Sequence, residues 1–232
     1  VSAGTYTLHA FADGVLGEFA KADITVDAGQ PLDLGKLTWT PVRDGKQLWD
    51  IGIPNRTGSE FFMADHYTQL DISLQYPKLF PNDITYTIGK SDFRKDWFFQ
   101  QVTHNIDPNA RAAPFFGIRS EPGKATPYTI DFNLAEAPKG KATLRVALCG
   151  GSVRSIDVAV NGQHAGALSN LVEDGVLTRH QISGIWYERS VPFDASMMHQ
   201  GQNTLTLTVP GGPINDGVIY DYLRLELNEN GQ

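Results

Sequence analysis

Two successive alternations of apolar and polar residues between Lys141 and Gly166 constrain this fold more than any other feature. Ala142 to Cys149 repeats with period 2, the signature of a half-buried strand. Gly150, Gly151 and Ser152 follow, and glycine reaches the positive φ angles of a tight reversal, so the pattern predicts strand, turn, strand. Ser155 to Val160 alternates again and stops at Asn161 and Gly162, a strong short-range hairpin signal. A second pair, Asn203 to Val209 and Gly217 to Leu227, ends the chain. Together these stretches read as the two faces of an antiparallel sandwich that displays everything else on loops and edges.

With 232 residues the chain can bury a substantial core as one large domain or as a small and a medium one. It is turn-rich, with 23 Gly and 13 Pro. No apolar run reaches the roughly 18 residues of a membrane span. No signal-peptide pattern opens the chain, which starts in mid-pattern as a processed or partial chain would. The net charge of −7 argues against nonspecific nucleic-acid binding, so a polyanionic partner needs a local basic patch. The one cysteine, Cys149, has no internal disulfide partner and reads as a small buried hydrophobe. Asn55, Arg56 and Thr57 form a glycosylation sequon, which matters only in a eukaryotic secretory pathway.

Residues 1–43 form their own block, with strands expected at Gly4 to Ala12, Phe19 to Val26 and Leu34 to Thr40. Three strands alone leave one buried face and two raw edges, a marginal arrangement. Pro41 to Gly45 reads as a linker and Leu48 to Ile53 as a new strand. Residues 54–86 are irregular and aromatic-rich, with Asp65 to Tyr76 the best helical stretch. Tyr128 to Leu134 and Ile185 to Phe193 complete the pattern. Strands at regular spacing with long excursions from residue 46 onward predict a jelly roll.

Several stretches carry a family likeness: Gly4 to Val15, Leu34 to Trp39, Leu48 to Phe61, Tyr86 to Trp97, Arg179 to Trp186, and Gly217 to Leu225. They resemble the C-terminal part of rhamnogalacturonan lyases of polysaccharide lyase family 4. That resemblance implies an all-β chain, a partial fibronectin-III-like sandwich (residues 1–43) followed by an antiparallel jelly-roll, carbohydrate-binding-module-like domain (residues 46–232). It implies secretion, with pectic polysaccharide and an upstream catalytic domain as partners, and neither nucleic acid nor membrane. The family cleaves the rhamnose–galacturonate backbone by β-elimination through a lysine and a histidine of its first domain. Nothing in this sequence matches that segment, so the implied role is non-catalytic: binding the polysaccharide or supporting the catalytic domain. Two alternatives stay open, a purely structural brace and an independent polysaccharide-degrading jelly-roll enzyme.

The residue types that suit an acidic sugar fall in two clusters. Arg94 and Lys95, with Lys90 beside them, can pair with uronate carboxylates, and Trp97 can stack on a sugar face. Arg179 and His180, followed by Trp186 and Tyr187, lie in a polar loop where binding residues tend to be displayed. Each cluster has a structural alternative, a core Trp or a solvated charge. No catalytic residue is assigned, and the six histidines show no metal spacing. No cofactor is required. A structural Ca²⁺ would suit a jelly-roll sugar module, with Asp221 the best of the acids Glu173, Asp174, Asp216 and Asp221, but spacing assigns no ligand set.

Overall fold

Every alternating stretch but one forms a strand. The computed structural model describes residues 1–69, 72–104, 122–214 and 216–230. In chain order the strands are β1 (Gly4–Ala10), β2 (Phe19–Val26), β3 (Lys46–Gly52), β4 (Ile84–Thr87), β5 (Gln100–Val102), β6 (Pro122–Gly123), β7 (Thr126–Leu134), β8 (Lys141–Gly151), β9 (Ser155–Val160), β10 (Gln163–Ser169), β11 (Tyr187–Asp194), β12 (Gly201–Val209), β13 (Gly212–Pro213) and β14 (Gly217–Asn228). Two single-turn α-helices, α1 (Tyr76–Leu79) and α2 (Phe93–Asp96), interrupt them.

Ten of the strands stack as two sheets, β10-β9-β12-β7-β4 and β11-β8-β14-β3 with β5 paired to the start of β14, while β1-β2 and β13-β6 form separate two-stranded pairs. All ladders are antiparallel except β4 on β7. Leu144, Val146 and Leu148 of β8 and Leu223 and Leu225 of β14 form one inner face. Ile156, Val158, Leu205, Leu207, Tyr128 and Ile130 form the other, all fully buried. Burial of apolar area on both inner faces is the main stabilising term of such a sandwich.

Asn161 and Gly162 make the expected hairpin between β9 and β10, with φ of 50° and 76° as a type I′ turn requires. The glycine turn after β8 does something else. β8 pairs with β11 and β14, whereas β9 pairs with β10 and β12, so Gly150 to Ser152 carries the chain from one layer to the other. The final two strands also separate, β12 into one sheet and β14 into the other.

The third expected strand, Leu34 to Thr40, is absent. Gly35 turns there at φ 62°, and its N–H is taken by Asp33 Oδ1 at 2.8 Å, which breaks an extended run. The expected helix over Asp65 to Tyr76 reduces, in its described part, to 3₁₀ turns at Ala64–His66 and Ile72–Gln75 followed by α1. Its buried residues meet the core as separate anchors and form no continuous helical stripe.

The linker is pinned to the outer face of the β11-β8-β14 sheet. Arg145 donates from Nη1 to Val42 O and from Nε to Glu188 Oε1, both at 2.6 Å. Asp44 N–H donates to Glu226 Oε2 at 2.6 Å. Arg224 Nε lies 2.7 Å from Glu226 Oε1, an ion pair whose angle falls short of a hydrogen bond. Charges this deeply buried persist because they pair. Leu16 is buried against Ala147 and Tyr222 on the same face, so the first 43 residues dock onto the sandwich.

Candidate functional site

The loop between β10 and β11 is built around one carboxylate. Asp174 accepts N–H bonds from Val176 (3.0 Å), Ile185 (2.7 Å) and Gly151 (3.3 Å), tying both limbs of the loop to the end of β8. Gly184 passes so close that a Cβ there would stand 2.2 Å from Asp174 Oδ2. At the neck, Arg189 donates to Ser169 O (3.2 Å) and Asn170 O (2.8 Å). This frame holds out a basic tip, with Arg179 exposed and His180 half-buried at φ 50°.

The aromatic residues that follow turn inward. Tyr187 is buried, and its hydroxyl oxygen accepts the Val172 N–H at 3.0 Å. Trp186 is half-buried and donates from Nε1 to Asp221 Oδ2 at 2.7 Å. Its ring carries the Arg56 guanidinium at 4.2 Å, and the Phe11 ring also packs on that guanidinium, at 4.0 Å. Glu18 Oε2 accepts from Arg56 Nη2 at 2.6 Å, while Glu18 Oε1 meets His9 Nδ1 at 2.5 Å. Trp186, named among the candidate sugar-binding residues, is thus one side of a clasp between the first 43 residues and the sandwich. Arg56 guanidinium first, then His9, holds the Glu18 carboxyl below its ordinary value.

Asp221, the acid singled out for Ca²⁺, has both oxygens engaged by N–H donors. Oδ1 accepts from Asn55 and Arg56 N–H, each at 2.9 Å, and Oδ2 from Trp186. Burial pushes its carboxyl above the ordinary value, against the pull of these bonds. Among the described residues, no three His, Cys, Asp or Glu side chains gather around one point as an ion would need. Asp174 and Asp216 are engaged too, Asp216 Oδ1 accepting from the Ser152 hydroxyl at 3.0 Å.

The second cluster divides in the same way. Asp92 caps α2 through an N–H bond from Arg94 at 3.0 Å, and Asp96 Oδ2 accepts the Asp92 N–H at 2.8 Å. Arg94 and Lys95 are exposed and only loosely paired with Asp92, at 3.7 and 4.0 Å. Trp97 is fully buried among Tyr128 (5.1 Å between centroids), Tyr220 (5.4 Å) and Tyr86 (5.8 Å). The proposed stacking role of Trp97 is therefore corrected: it has no face left for a sugar. Among the described residues no hydrogen bond, ion pair or ring contact joins this cluster to the Arg179 loop. Sequence reasoning missed Phe11, Glu18 and Arg56, whose only mark in the chain is that Arg56 falls within the sequon.

The family model for domain III of polysaccharide lyase family 4, described as CBM-like, matches residues 47–225. The chain belongs to that family. The model for domain II of the same family matches residues 1–34. A rhamnogalacturonate lyase of Dickeya dadantii is 29% identical over 231 residues, covering 97% of this chain and 35% of that protein. A probable rhamnogalacturonate lyase B of Aspergillus fumigatus is 26% identical over 267 residues, covering 97% of this chain and 40% of that protein. The family 4 chain thus spans between 35% and 40% of the length of these two curated relatives. Among solved structures, a family 35 carbohydrate-binding module from Clostridium thermocellum aligns with 56% of this chain and 90% of its own, at 17% identity and a TM-score of 0.33.

Proposed function

We propose that this chain is a non-catalytic, polysaccharide-contacting and supporting part of a secreted rhamnogalacturonan lyase, and that it meets pectin through charge and not through an aromatic platform. The observation that carries the contact is the division within the two clusters. Arg179, Arg94 and Lys95 are exposed, whereas Trp97 and Tyr187 are buried and Trp186 is covered by Arg56. A galacturonate carboxylate meeting Arg179 can form two parallel hydrogen bonds. In a chain of net charge −7, attraction of a polyanion depends on such local cations and weakens with salt.

The test is a calorimetric titration with rhamnogalacturonan oligosaccharides at low salt. Saturable heat that falls with added salt and drops about tenfold in affinity in Arg179→Ala supports the contact; no heat refutes it.

A second reading, the structural brace, is favoured by a separate observation. Of the eight large hydrophobic residues exposed among the described residues, six lie in the first 43: Val1, Tyr6, Phe11, Leu32, Leu37 and Val42. Tyr6, Leu8, Ile24, Val26, Leu32 and Leu34 also line an open groove of about 760 Å³. An apolar surface of that kind suits burial against another part of a larger protein. Tight association with a separately expressed catalytic domain, without any sugar binding, would support this reading over the first.

A further inference from the structure

We propose that the outer face of the β11-β8-β14 sheet carries a pocket for a single acidic sugar unit, lined by Asp44, Lys141, Thr143, Ser190, Pro192 and Asn228. The cavity measures about 270 Å³, below the ~300–1,000 Å³ of sites that take drug-sized ligands, and so suits one ring.

The register shows why these residues converge. Thr143 stands opposite Pro192, Lys141 opposite Asn228, and Ser190 opposite the neighbouring Arg145. Strand side chains alternate, so Lys141, Thr143, Ser190 and Pro192 share the face turned away from the core. Asp44 joins them from the linker, which Val42 O and Asp44 N–H fasten to Arg145 and Glu226. The network of buried Arg145 and Glu226 with half-buried Glu188 lies beside these residues on the same face and ties the linker to it.

The second observation is an unspent set of polar groups. Thr143 is only 9% exposed, yet its hydroxyl has no hydrogen-bond partner among the described residues. It is also absent from the polar atoms sealed off from solvent, so it opens toward the cavity it lines. Lys141 and Ser190 likewise make no side-chain hydrogen bond or ion pair among the described residues. A solvent-reachable hydroxyl with no internal partner, standing in a concave polar site beside the exposed Lys141 and Ser190, is available to an outside donor or acceptor.

The groups present define the ligand. Thr143 and Ser190 hydroxyls and the Asn228 amide suit sugar hydroxyls, which both donate and accept. Asp44, whose Oδ2 lies 3.8 Å from Arg145 Nε, keeps acceptor capacity for a sugar hydroxyl, and Pro192 offers an apolar surface to ring C–H groups. Lys141 supplies one ammonium for one carboxylate. A phosphate would bring nearly two negative charges against that single cation and beside Asp44, so a uronate is the better match. This site shares its ligand class with the proposed loop contact but uses none of its residues.

The test is a titration of the ¹⁵N-labelled chain with sodium galacturonate, followed by amide shifts. Saturable shifts centred on Lys141 to Arg145, Ser190 and Glu226 to Asn228 are expected, weakened about tenfold in Lys141→Gln and lost in Thr143→Val. Thr143 has no internal partner to lose, and Ser190→Ala provides a second, milder variant. The same shifts should persist in Arg179→Ala; their disappearance there would assign them to the loop and overturn the pocket. Equal shifts with neutral galactose would overturn the acidic specificity, and no shift at these residues would overturn the site.

Discussion

Replacing Asp221 by alanine tests whether one carboxylate anchors the Asn55–Arg56 turn and Trp186, the sandwich side of the clasp. The side chain is fully buried and accepts three N–H bonds, from Asn55 and Arg56 at 2.9 Å and from Trp186 Nε1 at 2.7 Å. Removing it orphans three donors at about 1–3 kcal/mol each if water stays out. Asn55, Arg56 and Trp186 are only half-buried, so rehydration keeps each near the lower figure. Burial already disfavours the charged carboxylate, and alanine relieves that cost. The expected loss is about 3 kcal/mol, or roughly 6–12 °C in Tm for a chain of this size. Asp221→Asn keeps an acceptor for the two backbone N–H groups and turns an N–H toward Trp186, so it should lose about half as much. Urea unfolding followed by tryptophan fluorescence and circular dichroism measures both variants. A loss under about 1 kcal/mol for alanine, or an asparagine variant worse than alanine, would refute the reasoning.

Other expectations follow from the same geometry. Trp97→Ala should cost about 3–5 kcal/mol because it empties the aromatic centre of the sandwich, and oligosaccharide affinity measured at full folding should not change. The clasp should be acid-sensitive. Glu18 has a folded pKa held below its unfolded value (~4.3), so its contribution is complete above that value and is lost as pH falls through the folded pKa. Trp186 fluorescence should report this transition, and Glu18→Gln should remove the dependence. Gly184→Ala should displace the Asp174 carboxylate and speed hydrogen exchange at the Val176 and Ile185 amides while the sheet amides stay protected. Unchanged exchange at both would mean that Asp174 does not hold the loop.

Much of the scaffold was legible before any coordinates. Period-2 alternation located β8, β9, β12 and β14, and the Asn161–Gly162 turn was read correctly because a two-residue hairpin is a local decision of φ. Leu34 to Thr40 failed for an equally local reason, the turn at Gly35 capped by Asp33. The candidate site was legible only in its exposed charges. Arg179, Arg94 and Lys95 are displayed as expected, but Trp97, Trp186 and Tyr187 look in the chain like any aromatic beside a basic residue. Whether such a ring faces solvent depends on what else arrives at it, here Tyr128 and Tyr220 from distant strands and Arg56 from a loop about 130 residues earlier.

By itself the sequence located most of the long strands, the side of each that faces the core, and the family to which the chain belongs, because alternation and turn chemistry act over a few residues. Only the tertiary structure decided which strands are neighbours. It sent β8 and β9 to opposite sheets, turned Trp186 from a candidate sugar contact into one side of a clasp, and brought Asp44, Thr143 and Ser190 together beside one cavity. Those outcomes depend on pairings between residues far apart in the chain, whose energies no local pattern records.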